Sequence, residues 1–238
     1  MGSTLRPLIT NNVPVITFDG PAGTGKGTMS QLVAAKLGFN ILDSGALYRI
    51  LAYNAVNRGT KLSNERELIT LVTDLRIEFR VDNSGGPLQI VVDEKDISAD
   101  IRTEICGSAA SAIAVFEGVR EALLKLQHQF CCPPGLVADG RDMGTIVFPG
   151  ALAKFFLVAT PEKRAGRRHK QLKAKGISVN LLEILAQIKE RDRRDIERTA
   201  APLKPAEDAV VVDTTELSID GVYQKVMSVV LARGVGIA

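Results

Sequence analysis

Gly20-Pro21-Ala22-Gly23-Thr24-Gly25-Lys26-Gly27-Thr28 lies between a short apolar run, Val15-Ile16-Thr17-Phe18, and a segment where Met29, Leu32, Val33, Lys36 and Leu37 share one helical stripe. A glycine-rich loop between a strand and a helix is the setting in which phosphates are held. Glycines let consecutive backbone N–H groups turn inward into an anion-sized nest, and the helix points its positive N-terminal end at the same spot. Lys26 adds a full charge. The spacing Gly20-x4-Gly25-Lys26 fits the pattern, but Gly27 stands where Ser or Thr is usual and Thr28 comes one place later. The alternative, a glycine-rich turn with no ligand, leaves the lysine in register unexplained. The stretch predicts a site for the phosphates of a purine nucleoside triphosphate.

Outward from this loop, five apolar runs recur: Val15–Phe18, Phe39–Leu42, Leu136–Ala138, Lys154–Val158 and Ala209–Val212. They are too short and too uniformly apolar for half-exposed strands, and helical patterns lie between them. The prediction is an α/β fold with a five-stranded parallel sheet covered on both faces. Four runs end in Asp (Asp19, Asp43, Asp139, Asp213), at the strand ends where such sheets collect ligands. Asp43 and Asp213 also suit helix caps or turns.

Two regions depart from that pattern. Residues 76–82 alternate with period two, a turn follows at Asn83-Ser84-Gly85-Gly86, and Leu88–Val92 reads as a second strand with a third near Ile97. This predicts an antiparallel hairpin insertion. Ile90-Val91-Val92-Asp93-Glu94 has the look of a water-activating acidic pair, but it falls in the hairpin and not on a core strand. Ile101, Ile105, Ala109 and Ala112 suggest one helix, and Val119, Leu123, Leu126 and Phe130 another. In the second region, residues 161–200 carry 12 Lys/Arg against six acids, a local balance of +6 in a chain whose total is +3. Such a segment is a solvated helix pair laced with ion pairs, unless something polar lies beneath it. Ile184, Ile188, Arg191, Asp195 and Arg198 fall on one helical stripe that turns from apolar to charged. Arg191 and Asp195 could close on each other across one turn; the stripe also fits the wall of a polar cleft. Guanidinium forks suit phosphate oxygens.

Composition narrows the function. The 238 residues are 45% hydrophobic and 24% charged, ordinary for a globular chain. With no Trp and 5% aromatic residues, a base-stacking nucleic-acid surface is disfavoured, although the basic segment keeps a nucleic-acid-binding module open as a rival reading. Three cysteines, two of them adjacent (Cys131, Cys132), give no disulfide framework, and no signal peptide or membrane-length apolar run is visible, so a cytoplasmic protein is expected. Only His128 and His169 are present, and no Asn-Lys-x-Asp quartet reads guanine. The pattern fits transfer of a γ-phosphoryl group, which needs positioning, magnesium and cations.

Five blocks sharpen this: VITFDGPAGTGKGT (15–28), LDSGALYR (42–49), ADGRDMGTIVFP (138–149), KERDRRDIERTAAPL (189–203) and VVDTTELSI (211–219). In this order they resemble the bacterial-type cytidylate kinases, P-loop nucleoside-monophosphate kinases that use ATP to phosphorylate CMP and dCMP; a P-loop kinase for UMP or AMP is the alternative. The resemblance implies a flexible lead-in at 1–13, a P-loop core at 14–72, 111–160 and 201–238, a monophosphate-binding insertion at 73–110, and a lid and basic helix at 161–200. It implies that ATP is bound by residues 20–28 with Arg164 and Arg167 of the lid, Arg168 being a further candidate. Ser44, Arg120 and Asp142 would read the cytosine edge; Arg49, Arg141 and Arg198 would hold the monophosphate; Ser111, Arg191 and Asp195 would surround the ribose. Lys26, Arg141, Arg191 and Arg198 would be the catalytic cations. Two of these residues have plainer readings: Arg120 could pair with Glu117 or Glu121, and Ser44 could cap a helix. Magnesium would be held mainly by phosphates and water, with Asp139 acting on it through water and Thr28 touching a phosphate. A monomer acting on free nucleotides is expected, without nucleic acid or membrane.

Overall fold

The structure, a computed structural model, describes residues 13–81, 86–174 and 176–235. The expected lead-in, apart from Val13, and Asn83-Ser84-Gly85 of the expected turn lie outside the described residues.

Five strands, β1 (Val15–Asp19), β2 (Asn40–Asp43), β6 (Leu136–Asp139), β7 (Ala153–Val158) and β8 (Val210–Asp213), form one parallel sheet in the order β2-β6-β1-β7-β8. Each coincides, within a residue or so, with one of the five apolar runs. The central strand β1 is buried at every position, and Phe18 stacks on Phe155 of β7 with ring centroids 5.1 Å apart. Burying such a side chain contributes roughly 1.5–3 kcal/mol. Helices α1 (Lys26–Leu37) and α8 (Ile219–Ala232) cover one face; α2 (Ser44–Asn57), α3 (Glu65–Thr73), α4 (Glu104–Ile113) and α5 (Glu117–Gln129) build the core on the other. The remaining helices, α6 (Pro161–Ala174) and α7 (Leu181–Glu197), pack on each other around Ala165, Leu172 and Ile184.

Strands β3 (Ile77–Arg80), β4 (Gln89–Val92) and β5 (Lys95–Asp96) form the separate antiparallel sheet. Asp93 and Glu94 are its two-residue turn, at φ 48° and 68°, so the acidic pair is a hairpin device and not a water activator.

Three local readings are corrected. On α1 the buried face is Met29, Ser30, Val33, Ala34 and Leu37, whereas Leu32 and Lys36 are exposed; small Ser30 and Ala34 let the helix sit close to the sheet. The predicted stripe from Ile101 through Ile105 is broken because Thr103 Oγ1 accepts the Cys106 N–H and starts α4 in a new phase. Ile105 is therefore 84% exposed, and Cys106, Ala110 and Ile113 are buried. Helix α3 was not anticipated; Asn64 caps it through the Glu67 N–H.

The aspartates at the strand ends divide by role. Asp43 accepts from the Ala46 N–H and caps α2, and Asp213 accepts from the Thr215 N–H in a turn. Asp19 accepts from the N–H groups of Met143 and Gly144, fixing the loop after β6. The Asp139 carboxylate makes no hydrogen bond among the described residues and faces the glycine-rich loop at Gly27.

Candidate active site

The loop between β1 and α1 depends on glycine where backbone crowds backbone. Gly20 has φ +134°, and a Cβ there would lie 2.1 Å from the Leu157 carbonyl oxygen. Gly25, at φ +97°, opens α1 with no side-chain cap, which leaves the first-turn N–H groups for an anion. Lys26 is buried, and its Nζ donates to the Pro21 carbonyl at 2.8 Å. Burial, then the nearby Arg141, push the lysine down to about 8. Beside it burial raises Asp139 to about 7, against the pull of Lys26, and raises Asp19 to about 6 against its two backbone hydrogen bonds. At the irregular Gly27 a Cβ would stand 3.3 Å from Asp139 Oδ2, a close approach that a small yield of the carboxylate would accommodate.

Beyond the carboxyl ends of β2 and β6 lies a cavity of about 300 Å³ between α2, α4 and α7. Ser44, Ser111, Arg120, Arg141, Asp142, Arg191, Asp195 and Arg198 all line it, so the structure brings eight of the nine residues expected at the acceptor together. Arg120 pairs with Asp142 across the cavity wall, not with Glu117 or Glu121. Asp43, not Ser44, caps α2, so the Ser44 side chain serves no capping role. Arg141 Nε donates to Asp195 Oδ2 at 2.8 Å. Burial alone would lower Arg141, but Asp195, Asp139 and Asp19 hold it above its ordinary value. Burial and Arg141 push Arg191 down to about 10, and its Nε is buried without a partner among the described residues, as is Nη2 of Arg198. Buried guanidinium nitrogens without acceptors, two within one cavity, are a demand for an anion. Arg198 sits at the C-cap of α7, in extended conformation, one residue past the helix on which the stripe had placed it.

Arg49 is the ninth residue, and it lies outside the lining. Its Nη1 donates to the Ile101 and Thr103 carbonyls, tying α2 to the start of α4. The lid arginines are each engaged with other parts of the chain. Arg164 Nη1 donates to the Ala22 carbonyl and to Asp192, while Arg167 donates to the Gly23 carbonyl and to Thr214. Both grip the loop itself, because the i, i+3 spacing on α6 turns them toward it and away from open solvent. Arg168 pairs with Glu104 at the start of α4. Tyr48, which the sequence reading missed, lines the cavity one turn after Ser44, an i, i+4 relation that could have flagged it. Burial pushes its phenol up to about 12, so it stays a neutral donor. A separate hollow of about 410 Å³ near His169, Lys173 and Val179 contains none of these residues.

A glycine-rich loop with a buried lysine and a nearby cavity lined by arginines make an arrangement with the chemistry to hold two phosphate-bearing molecules. A family model described as cytidylate kinase matches residues 16–232. The chain belongs to the cytidylate kinase family. The cytidylate kinase of Stutzerimonas stutzeri is 52% identical over 93% of this chain and 96% of its own length. That of Shewanella halifaxensis is 50% identical over 90% of this chain and 93% of its own, and that of Shewanella denitrificans 47% over 94% and 99%. No described helix is long and apolar enough to cross a membrane.

Proposed function

We propose that this cytidylate kinase family member transfers the γ-phosphoryl group of ATP to CMP or dCMP, giving ADP and CDP or dCDP. The observation that carries the reading is the pair of partnerless buried guanidinium nitrogens, on Arg191 and Arg198, in the cavity that also holds the Arg120–Asp142 pair. An oxygen of the acceptor monophosphate attacks the γ-phosphorus as the bond to the ADP oxygen breaks. The acceptor oxygen is already ionised, so the step needs no general base; it needs alignment and cations over the equatorial oxygens. Residues 20–28 grip the donor, with Lys26 at the outer phosphates. Arg141, Arg191 and Arg198 bear on the transferred group and the acceptor. Ser44, Arg120 and Asp142 supply the mixed donors and acceptors a cytosine edge requires, while Ser111 and Asp195 flank the ribose.

Among the described residues no cluster of three or more metal-ligating side chains occurs. The carboxylate of Asp139 beside the phosphate loop suits magnesium, which keeps water and phosphate oxygens as most of its ligands, whereas that of Asp19 is taken up by the Met143 and Gly144 N–H groups. Asp139 would hold that ion through water, and the ion would neutralise charge on the phosphates.

The functional division is a core at 14–72, 111–160 and 201–238, a monophosphate-binding insertion at 73–110, and a lid with its basic helix at 161–200. The protein works as a cytoplasmic monomer on free nucleotides. A coupled assay with ATP and each of CMP, dCMP, UMP and AMP tests the assignment. CMP and dCMP should be the best acceptors; turnover of UMP or AMP well above CMP would overturn it.

A further inference from the structure

Two of the three lid arginines, Arg164 and Arg167, grip the phosphate loop, and each of the three also ties α6 to another element. Arg167 joins the loop to Thr214 of the core, and Arg168 joins α6 to Glu104. Arg164 alone of the three joins the phosphate loop to α7, the helix carrying Arg191 and Asp195 of the acceptor cavity. It is 2% exposed. Its Nε donates to the Ala159 carbonyl at 2.9 Å, and its Nη1 to the Ala22 carbonyl at 3.1 Å and to Asp192 Oδ1 at 3.0 Å; Nη2 donates to Asp192 Oδ2. Four of the five N–H groups a guanidinium carries are therefore used. The loop rests on the same side chain, since a Cβ on Gly23 would lie 3.2 Å from Arg164 Cβ.

Asp192 does not line the acceptor cavity, but it follows Arg191 and precedes Asp195 by one turn on the same rigid helix. A two-pronged, buried charge pair is directional, so a shift of α7 carries Arg164 with it. Arg164 in turn holds the carbonyl of Ala22 within the loop. Resting on the functional reading above, we infer that Arg164 and Asp192 are positioning residues that make the grip on the donor depend on occupancy of the acceptor cavity. Linkage makes the dependence reciprocal.

The test is calorimetric titration of a non-hydrolysable ATP analogue, with and without saturating CMP, on three proteins. In the wild type CMP should tighten the analogue by roughly 5- to 150-fold, the usual span of such coupling. In Asp192→Asn the ratio should fall to near one, while CMP alone binds within a few-fold of wild type. Asp208→Asn breaks the Lys154–Asp208 pair, which touches neither site; it should lower Tm and leave the ratio unchanged, because general destabilisation does not alter coupling. Arg164→Lys keeps the charge without the fork and should give a reduced ratio, so it decides the matter if Asp192→Asn does not fold. Unchanged coupling in the variants, or a wild type that binds both ligands independently, would overturn the inference alone. A wild type that fails to bind CMP would instead overturn the functional reading.

Discussion

Arg141, in the loop after β6, and Asp195, on α7, meet through a 2.8 Å hydrogen bond at the mouth of the acceptor cavity, with side chains only 17% and 13% exposed. The pair joins the sheet to the basic helix before any substrate arrives. Removing one partner of a buried pair leaves the other charge uncompensated. Asp195→Ala should therefore destabilise the nucleotide-free protein by about 3 kcal/mol, toward the lower end of what such losses cost. Urea unfolding with and without CMP checks this; the ligand should restore only part of the loss.

Lys26→Ala separates catalysis from folding. The lysine is buried beside Arg141 and pushed down to about 8, so its charge costs the empty protein stability. The variant should keep or raise Tm while kcat falls by at least about 10²–10³-fold, the range for losing one preorganised charge donor. Turnover comparable to wild type would show that the loop is not catalytic.

Arg191→Ala should injure the acceptor side selectively. Loss of a charged hydrogen bond costs about 1.5–3 kcal/mol, a factor of roughly 10–100 in KM for CMP. Kd for an ATP analogue, measured without CMP, should change by less than about threefold. Equal damage to both ligands would contradict the acceptor-side position.

The acid pair Asp19 and Asp139 sets a pH dependence. Both carboxyls are raised in the folded chain, to about 6 and about 7, chiefly by burial. Between the ordinary carboxylate range and those values the folded state binds more protons than the unfolded state, so stability falls as pH rises. Tm of the nucleotide-free protein should decline from pH 5 to pH 7.5, and Asp139→Asn should flatten the decline. A profile of equal slope in the variant would show that Asp139 does not contribute.

Gly20→Ala should be among the most damaging loop substitutions. It forces a Cβ to 2.1 Å from a backbone oxygen at a positive φ, and a cost of about 2–4 kcal/mol is expected. Thermal unfolding with no nucleotide present measures it.

The sheet was legible because its inner strands β6, β1 and β7 are buried on both faces, so that continuous apolar runs such as Val15–Phe18 mark them, while the edge strand β8 kept an apolar run although Val211 is exposed. The residues that line the cavity were legible as motif blocks, and the helical stripe from Ile184 to Asp195 pointed to the same wall by geometry. The roles of charged groups were harder to read. Arg164 has its carboxylate partner Asp192 across a helix pair, and Arg168 has Glu104 far upstream, so no local spacing announces either pairing. The resemblance implied Arg49 at the monophosphate, but the carbonyls of the short turn at Asp100–Arg102 and its end compete for it. On α1, hydropathy favoured Leu32 over Ser30 and Ala34, although close packing rewards small side chains.

Gly27 and Asp139 face each other closely: a Cβ at position 27 would stand 3.3 Å from Asp139 Oδ2, so a side chain there asks the carboxylate to yield by a few tenths of an ångström. A hydroxyl side chain at 27 would set a second metal-ligating group beside that carboxylate, the combination with which other phosphate loops hold magnesium. The glycine after the lysine withholds that hydroxyl and leaves Asp139 as the protein oxygen facing the loop at this point.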